Sequence, residues 1–195
     1  MAARVVLGLL LVSCVTVPLR AQISEPLTAP SRPPAAFPKG TWDLEVGGSF
    51  AWEFYPYDHE KIAAGSVGVG YYLADNFAAA LSVPVSHVRQ PETHDATMVG
   101  LDLQLRYHFL QRDRVTLFAD AIGGLAQADH PVPPGGTYFN FTLQLGLGAT
   151  YRLADHAYFV GGLHFFHLSN AAIEGVDRNP DLNAVQPYLG VMFTF

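Results

Sequence analysis

The chain is 195 residues long, a length that suits one domain, and its Lys+Arg 11 against Asp+Glu 17 give a formal net charge of -6. It has no Lys/Arg run that could track a phosphate backbone, which excludes nucleic acid as a partner. Apolar residues reach 50 % while charged ones stay at 14 %, a skew away from ordinary soluble domains.

The first expected element is an export signal. Arg4 precedes an apolar core from Val5 to about Val17, and "PLRAQ" offers a cleavage point after Ala21, so residues 1–21 are expected to be a cleaved signal peptide of the Sec type. The core is too short for a spanning anchor. The sole cysteine, Cys14, lies inside it, so the exported chain is expected to form no disulfide; the competing reading takes "LVSC" as a lipoprotein box with Cys14 acylated. Residues 22–39 hold Pro26, Pro30, Pro33, Pro34 and Pro38 without periodic pattern and read as an extended periplasmic lead-in.

From Gly40 to the last residue the apolar period is two, the signature of half-buried strands. The first strand, "TWDLEVGGSFAWEF", puts Trp42, Leu44, Val46, Phe50, Trp52 and Phe54 on one face and Asp43, Glu45, Ser49 and Glu53 on the other. Further strands are predicted over 63–73, 77–88, 99–109, 115–128, 140–152, 157–170 and 184–195. The fourth alternates most cleanly, with Leu101, Leu103, Leu105 and Tyr107 opposed by Asp102, Gln104, Arg106 and His108. The expected strands number eight, and their connections alternate: "LADN", "QRDR" and "LADH" are tight, whereas "YPYDHEK", "RQPETHD", "HPVPPGG" and "IEGVDRNPDLN" are longer.

Short turns at one end and longer loops at the other are the pattern of an outer-membrane barrel, whose closed sheet satisfies every backbone group in lipid. Residues 40–195 are therefore predicted to form an all-β, eight-stranded antiparallel transmembrane barrel with apolar residues outward. A soluble lipocalin-like barrel is the competitor, and "GTW" at Gly40–Trp42 resembles its G-x-W; such a barrel, however, shows polar residues to water. Asp43, Glu45, Asp102, Arg106, His108, Asp120 and Arg152 share the inward parity and read as paired charges filling a small barrel, Asp102 with a neighbouring arginine among them.

"GGLHFFHLSNAAIEG", Gly161–Gly175, breaks the pattern. By parity His167 and Ser169 lie outward with Leu163 and Phe165, while His164, Phe166, Leu168 and Asn170 point into the lumen. His164 and His167 therefore cannot share a metal on a regular strand, and neither a metal nor a cofactor is expected. Residues i and i+2 on one face are neighbours, the spacing a base needs to activate a serine hydroxyl. The end of the seventh strand falls at the outer rim, where polar residues on the lipid face cost little. An esterase there would meet outer-leaflet lipid from the side.

"HLSNA" at His167–Ala171, "NPDLN" at Asn179–Asn183 and a final strand ending on Phe195 resemble the PagL-type lipid A deacylases. The resemblance implies an outer-membrane barrel that removes an ester-linked acyl chain from lipid A, with Ser169 as nucleophile and His167 as general base. The family's third member is a Glu, and the matching position here is Asn183; Glu174, Asp177 and Asp181 are the alternative acids from the loop. Asn170 and the backbone N–H groups of Ala171 and Ala172 are the expected oxyanion donors. This requires the strand to end or bulge at Asn170, although "AAIEG" carries no strong turn signal before Gly175. The expected partners are lipid A or lipopolysaccharide and the outer membrane. The competing function is a non-enzymatic structural or adhesion barrel like OmpA or OmpX, in which His167 and Ser169 make no contact; a periplasmic lipid-binding barrel is the third reading.

Overall fold

The computed structural model describes residues 35–55, 60–91 and 93–195. The signal peptide, Cys14 and residues 22–34 of the lead-in lie outside the described residues. The strands are β1 (Trp42–Tyr55), β2 (Lys61–Ala74), β3 (Phe77–Arg89), β4 (Ala96–Arg112), β5 (Val115–Val132), β6 (Thr137–Ala154), β7 (Ala157–Ser169) and β8 (Leu182–Thr194). Each pairs antiparallel with the next, and β1 pairs with β8 to close the barrel. At the seam the Trp42 and Phe195 backbones exchange N–H to O bonds of 3.0 Å in both directions, so the terminal aromatic residue completes the closing ladder.

The predicted tight turns are where expected, at 75–76, 113–114 and 155–156. Asn76 and Asp113 take positive φ of 63° and 47° there, a conformation that short polar side chains tolerate by bonding their own backbone. In outer-membrane barrels such short turns lie at the periplasmic end. At the other end β5 and β6 run to 18 residues each, well beyond the roughly 9–11 that cross a bilayer, so their hairpin projects past it.

Alternation places the apolar residues outward. Leu103 is 52 % exposed, Leu147 62 % and Leu163 52 %, a continuous apolar belt that a soluble monomer does not show. Aromatic girdles flank it: Trp42, Phe109, Tyr151 and Phe193 near the periplasmic turns, Trp52, Phe54, Tyr138 and Phe165 towards the outer rim. The soluble-barrel reading fails on this belt.

The lumen is layered. Ala51, Val88, Met98, Phe166, Leu168 and Leu182 belong to a buried apolar cluster at the outer end. Phe37, Tyr72, Ala78, Tyr158 and Met192 form a second at the periplasmic end. Phe37 comes from the expected lead-in, whose residues from Phe37 onward are thus docked rather than extended: the Phe37 N–H donates to Asn76 Oδ1 at 3.1 Å, and its ring stacks on Tyr72 at 5.0 Å. Between the clusters lies a charged band. Arg106 donates to Asp120 at 2.9 Å and to Glu45 at 2.7 Å, and Tyr188 and His164 reach the same Asp120 at 3.2 and 3.3 Å. Two expectations for this band are corrected. Arg152, still paired with Tyr158 in the β6–β7 ladder, is exposed near the 155–156 turn rather than buried in the band. Asp102 is held not by an arginine but by Thr142 and Gln144, each at 3.4 Å, since Arg106 is fully engaged four residues further along β4.

Candidate active site on the outer wall

The β7–β8 register sets His167 directly opposite Asn183. Directly opposed residues on one face approach to about 5 Å between Cβ atoms, and here the side chains meet: His167 Nδ1 lies 2.9 Å from Asn183 Oδ1. On its other side His167 Nε2 lies 3.1 Å from Ser169 Oγ. Because an amide oxygen only accepts, Nδ1 must carry the ring proton, which leaves Nε2 as an acceptor for the serine O–H. All three side chains are half-buried on the outward face. They stand at the last turn of the pleat before the outer loops, with Phe165 of the upper girdle just below.

His164 has the opposite parity. It is buried in the lumen, stacked on Tyr188 at 4.3 Å between ring centroids, so the two histidines face different environments.

Of the loop acids, only Asp181 joins the cluster: its Oδ2 accepts from Asn183 Nδ2 at 3.1 Å. Glu174 pairs with Arg178 at 2.8 Å on the exposed surface. Asp177 sits exposed in the first turn of the short 3-10 helix Val176–Arg178 and makes no contact with His167. Asn183 thus occupies the place a carboxylate was the alternative for, and no loop acid touches the imidazole.

The strand does end where the oxyanion expectation required, and Ala171–Glu174 form a turn. Ala171 and Ala172 both take the left-handed conformation, φ 50° and 57°, a region costing an alanine about 1–2 kcal/mol. Asn170 holds them there. Its side chain, buried in the lumen as parity dictates, donates to Thr137 Oγ1 at 3.0 Å and to the Arg178 carbonyl at 2.6 Å, and accepts the Ala172 N–H at 2.8 Å. Its own N–H donates to Asn179 Oδ1 at 2.9 Å. Two expected oxyanion donors are therefore committed elsewhere: the Asn170 amide to the loop and the Ala172 N–H to Asn170. The Ala171 N–H, two residues after Ser169, is without a hydrogen-bond partner among the described residues. The signal that sequence reading missed is Asn170 itself, a side chain able to satisfy a loop internally with no glycine present.

The fold and the cluster together define a class: an outer-membrane-type β-barrel carrying a hydrogen-bonded Ser–His–Asn arrangement on its lipid-facing wall. Neisserial surface protein A superposes with a TM-score of 0.63 at 15 % identity, covering 80 % of this chain and 100 % of that one. The N-terminal barrel of Pseudomonas aeruginosa OprF gives 0.53 at 19 %, covering 80 % and 98 %, and outer membrane protein W of E. coli 0.52 at 10 %, covering 81 % and 99 %. At these identities the likeness is one of fold. No curated protein matches the sequence. The family model of the lipid A 3-O-deacylases (PagL) matches residues 45–192, and the chain belongs to that family.

Proposed function

We propose that the chain removes an ester-linked acyl chain from lipid A by serine catalysis at its outer wall. Ser169 Oγ attacks the acyl carbonyl carbon while His167 Nε2 takes the hydroxyl proton. The tetrahedral intermediate collapses to a Ser169 ester as the sugar alkoxide leaves with that proton. Water, deprotonated by the same nitrogen, then releases the fatty acid and restores the serine. Asn183 keeps the Nδ1–H in place, and the Ala171 N–H is the backbone donor available to the developing oxyanion. The family supports the substrate. The observation that carries the mechanism is the bridging position of His167, 3.1 Å from Ser169 and 2.9 Å from Asn183. A non-enzymatic barrel expects neither contact.

The test is the lipid A mass spectrum of cells carrying the protein or its Ser169→Ala variant. Loss of one acyl chain is expected with the former only. Identical spectra, with both barrels folded, would overturn the reading.

A further inference from the structure

The exchange of a carboxylate for Asn183 leaves a question of charge: an amide orients an imidazole but does little to stabilise its protonated form. The geometry points to Asp181 as a positioning residue that acts on His167 through Asn183, so that the site is a relay of four side chains, Ser169, His167, Asn183 and Asp181. This rests on the proposed serine mechanism and adds a member to it.

The Asp181 contact decides which way the Asn183 amide faces. Asn183 has one oxygen and one NH2 group, similar in shape, and nothing in β8 itself dictates their order. An ionised carboxylate only accepts hydrogen bonds. Asp181 Oδ2 at 3.1 Å from Nδ2 therefore selects the orientation in which Oδ1 faces His167. That orientation in turn demands a proton on Nδ1 and leaves the Nε2 lone pair for Ser169, so the Asp181 carboxylate determines the tautomer of a ring it does not touch. Were the amide reversed, its NH2 would face Nδ1, the proton would move to Nε2, and the base would be lost.

The charge of Asp181 acts as well. Arg178, the cation of this loop, is paired with Glu174 at 2.8 Å. Among the described residues no cation pairs with Asp181, and its side chain is half-buried beside the site. Its negative charge therefore acts along the amide, polarising Asn183 so that Oδ1 carries more negative charge towards the imidazole when it takes the serine proton.

Asp181 precedes β8 and contributes nothing to the barrel ladder, so its replacement leaves the fold intact, checked by circular dichroism. Deacylation of purified lipid A in detergent is measured for Asp181→Ala in two backgrounds, the natural one and Asn183→Asp. In the natural background Asp181→Ala lowers kcat by at least about tenfold with KM within about twofold, as loss of an orienting group does. In the Asn183→Asp background the isosteric carboxylate meets His167 directly and Asp181 becomes a like charge beside it, so Asp181→Ala leaves kcat unchanged or raises it. An equal loss in both backgrounds would mean a structural role and overturn the inference, as would a natural-background kcat within twofold of the parent. Ser169→Ala, assayed alongside, separates the cases: retained activity there defeats the serine mechanism, whereas an inactive Ser169→Ala beside an unaffected Asp181→Ala defeats only the role of Asp181.

Discussion

On the proposed mechanism, Asn170 holds the site without taking part in its chemistry. Three hydrogen bonds from its amide secure two alanines in a strained conformation immediately after the serine. Asn170→Ala removes all three, so the turn relaxes towards ordinary backbone angles and the Ala171 N–H moves from its place. The expected result is a fall in kcat of about a hundredfold, the scale of a lost oxyanion donor, with the barrel still folded by circular dichroism; a rate near that of the parent would show that the turn does not serve the reaction. At this scale the sequence disclosed half of the arrangement. His167 and Ser169 were legible because i and i+2 on a strand must share a face. Asn183 was reached only through a family motif, since a loop of "NAAIEGVDRNPDL" does not set the register of the strand that follows it. The left-handed alanines were not legible at all, because the residue that stabilises them is an asparagine whose partners, Thr137 and the Arg178 carbonyl, are distant in sequence.

At the scale of strands, glycines let β6 and β7 approach closely. Gly148 and Gly162 are opposed in that ladder, and a Cβ on Gly162 would meet Gly148 Cα and the Tyr188 hydroxyl, each at 2.7 Å. The pair leaves room for the Tyr188 ring that reaches Asp120. Gly162→Ala forces β7 away from β6 and is expected to destabilise the barrel by about 1–3 kcal/mol, as overpacking does, read as a lower urea midpoint in detergent. Strand number, order and facing were readable because lipid requires one face of every strand to be apolar, which makes the period of two unusually clean. The strand ends were less so. Beyond the bilayer nothing enforces alternation, and β5 and β6 continue to Val132 and from Thr137 through residues that read as loop. The docking of Phe37 was hidden for a related reason: a lone aromatic in a proline-rich stretch has no period to reveal its partner.

For the molecule as a whole, the charged band is the keystone of the lumen. Arg106 is buried between Glu45 and Asp120 and lies over the Phe118 ring at 4.2 Å. Arg106→Met keeps the bulk but leaves two carboxylates facing each other in a confined space, and breaking such a pair costs about 3–5 kcal/mol. A urea midpoint unchanged from the parent would show that the band is dispensable; the expected midpoint is markedly lower, while the fraction that remains folded deacylates at the parent rate because the cluster on the outer wall is untouched. The band also lines a cavity of about 110 Å³, together with Asp43, Ser66, Asp102 and Gln186. Above it Val88, Leu168 and Leu182 are fully buried, and below it Tyr72 and Met192 are, with Phe37 only 1 % exposed. Among the described residues, an apolar layer thus caps the polar interior at each end. A charge travelling along the barrel axis would therefore have to leave its polar surroundings twice, a desolvation barrier at each end of the lumen.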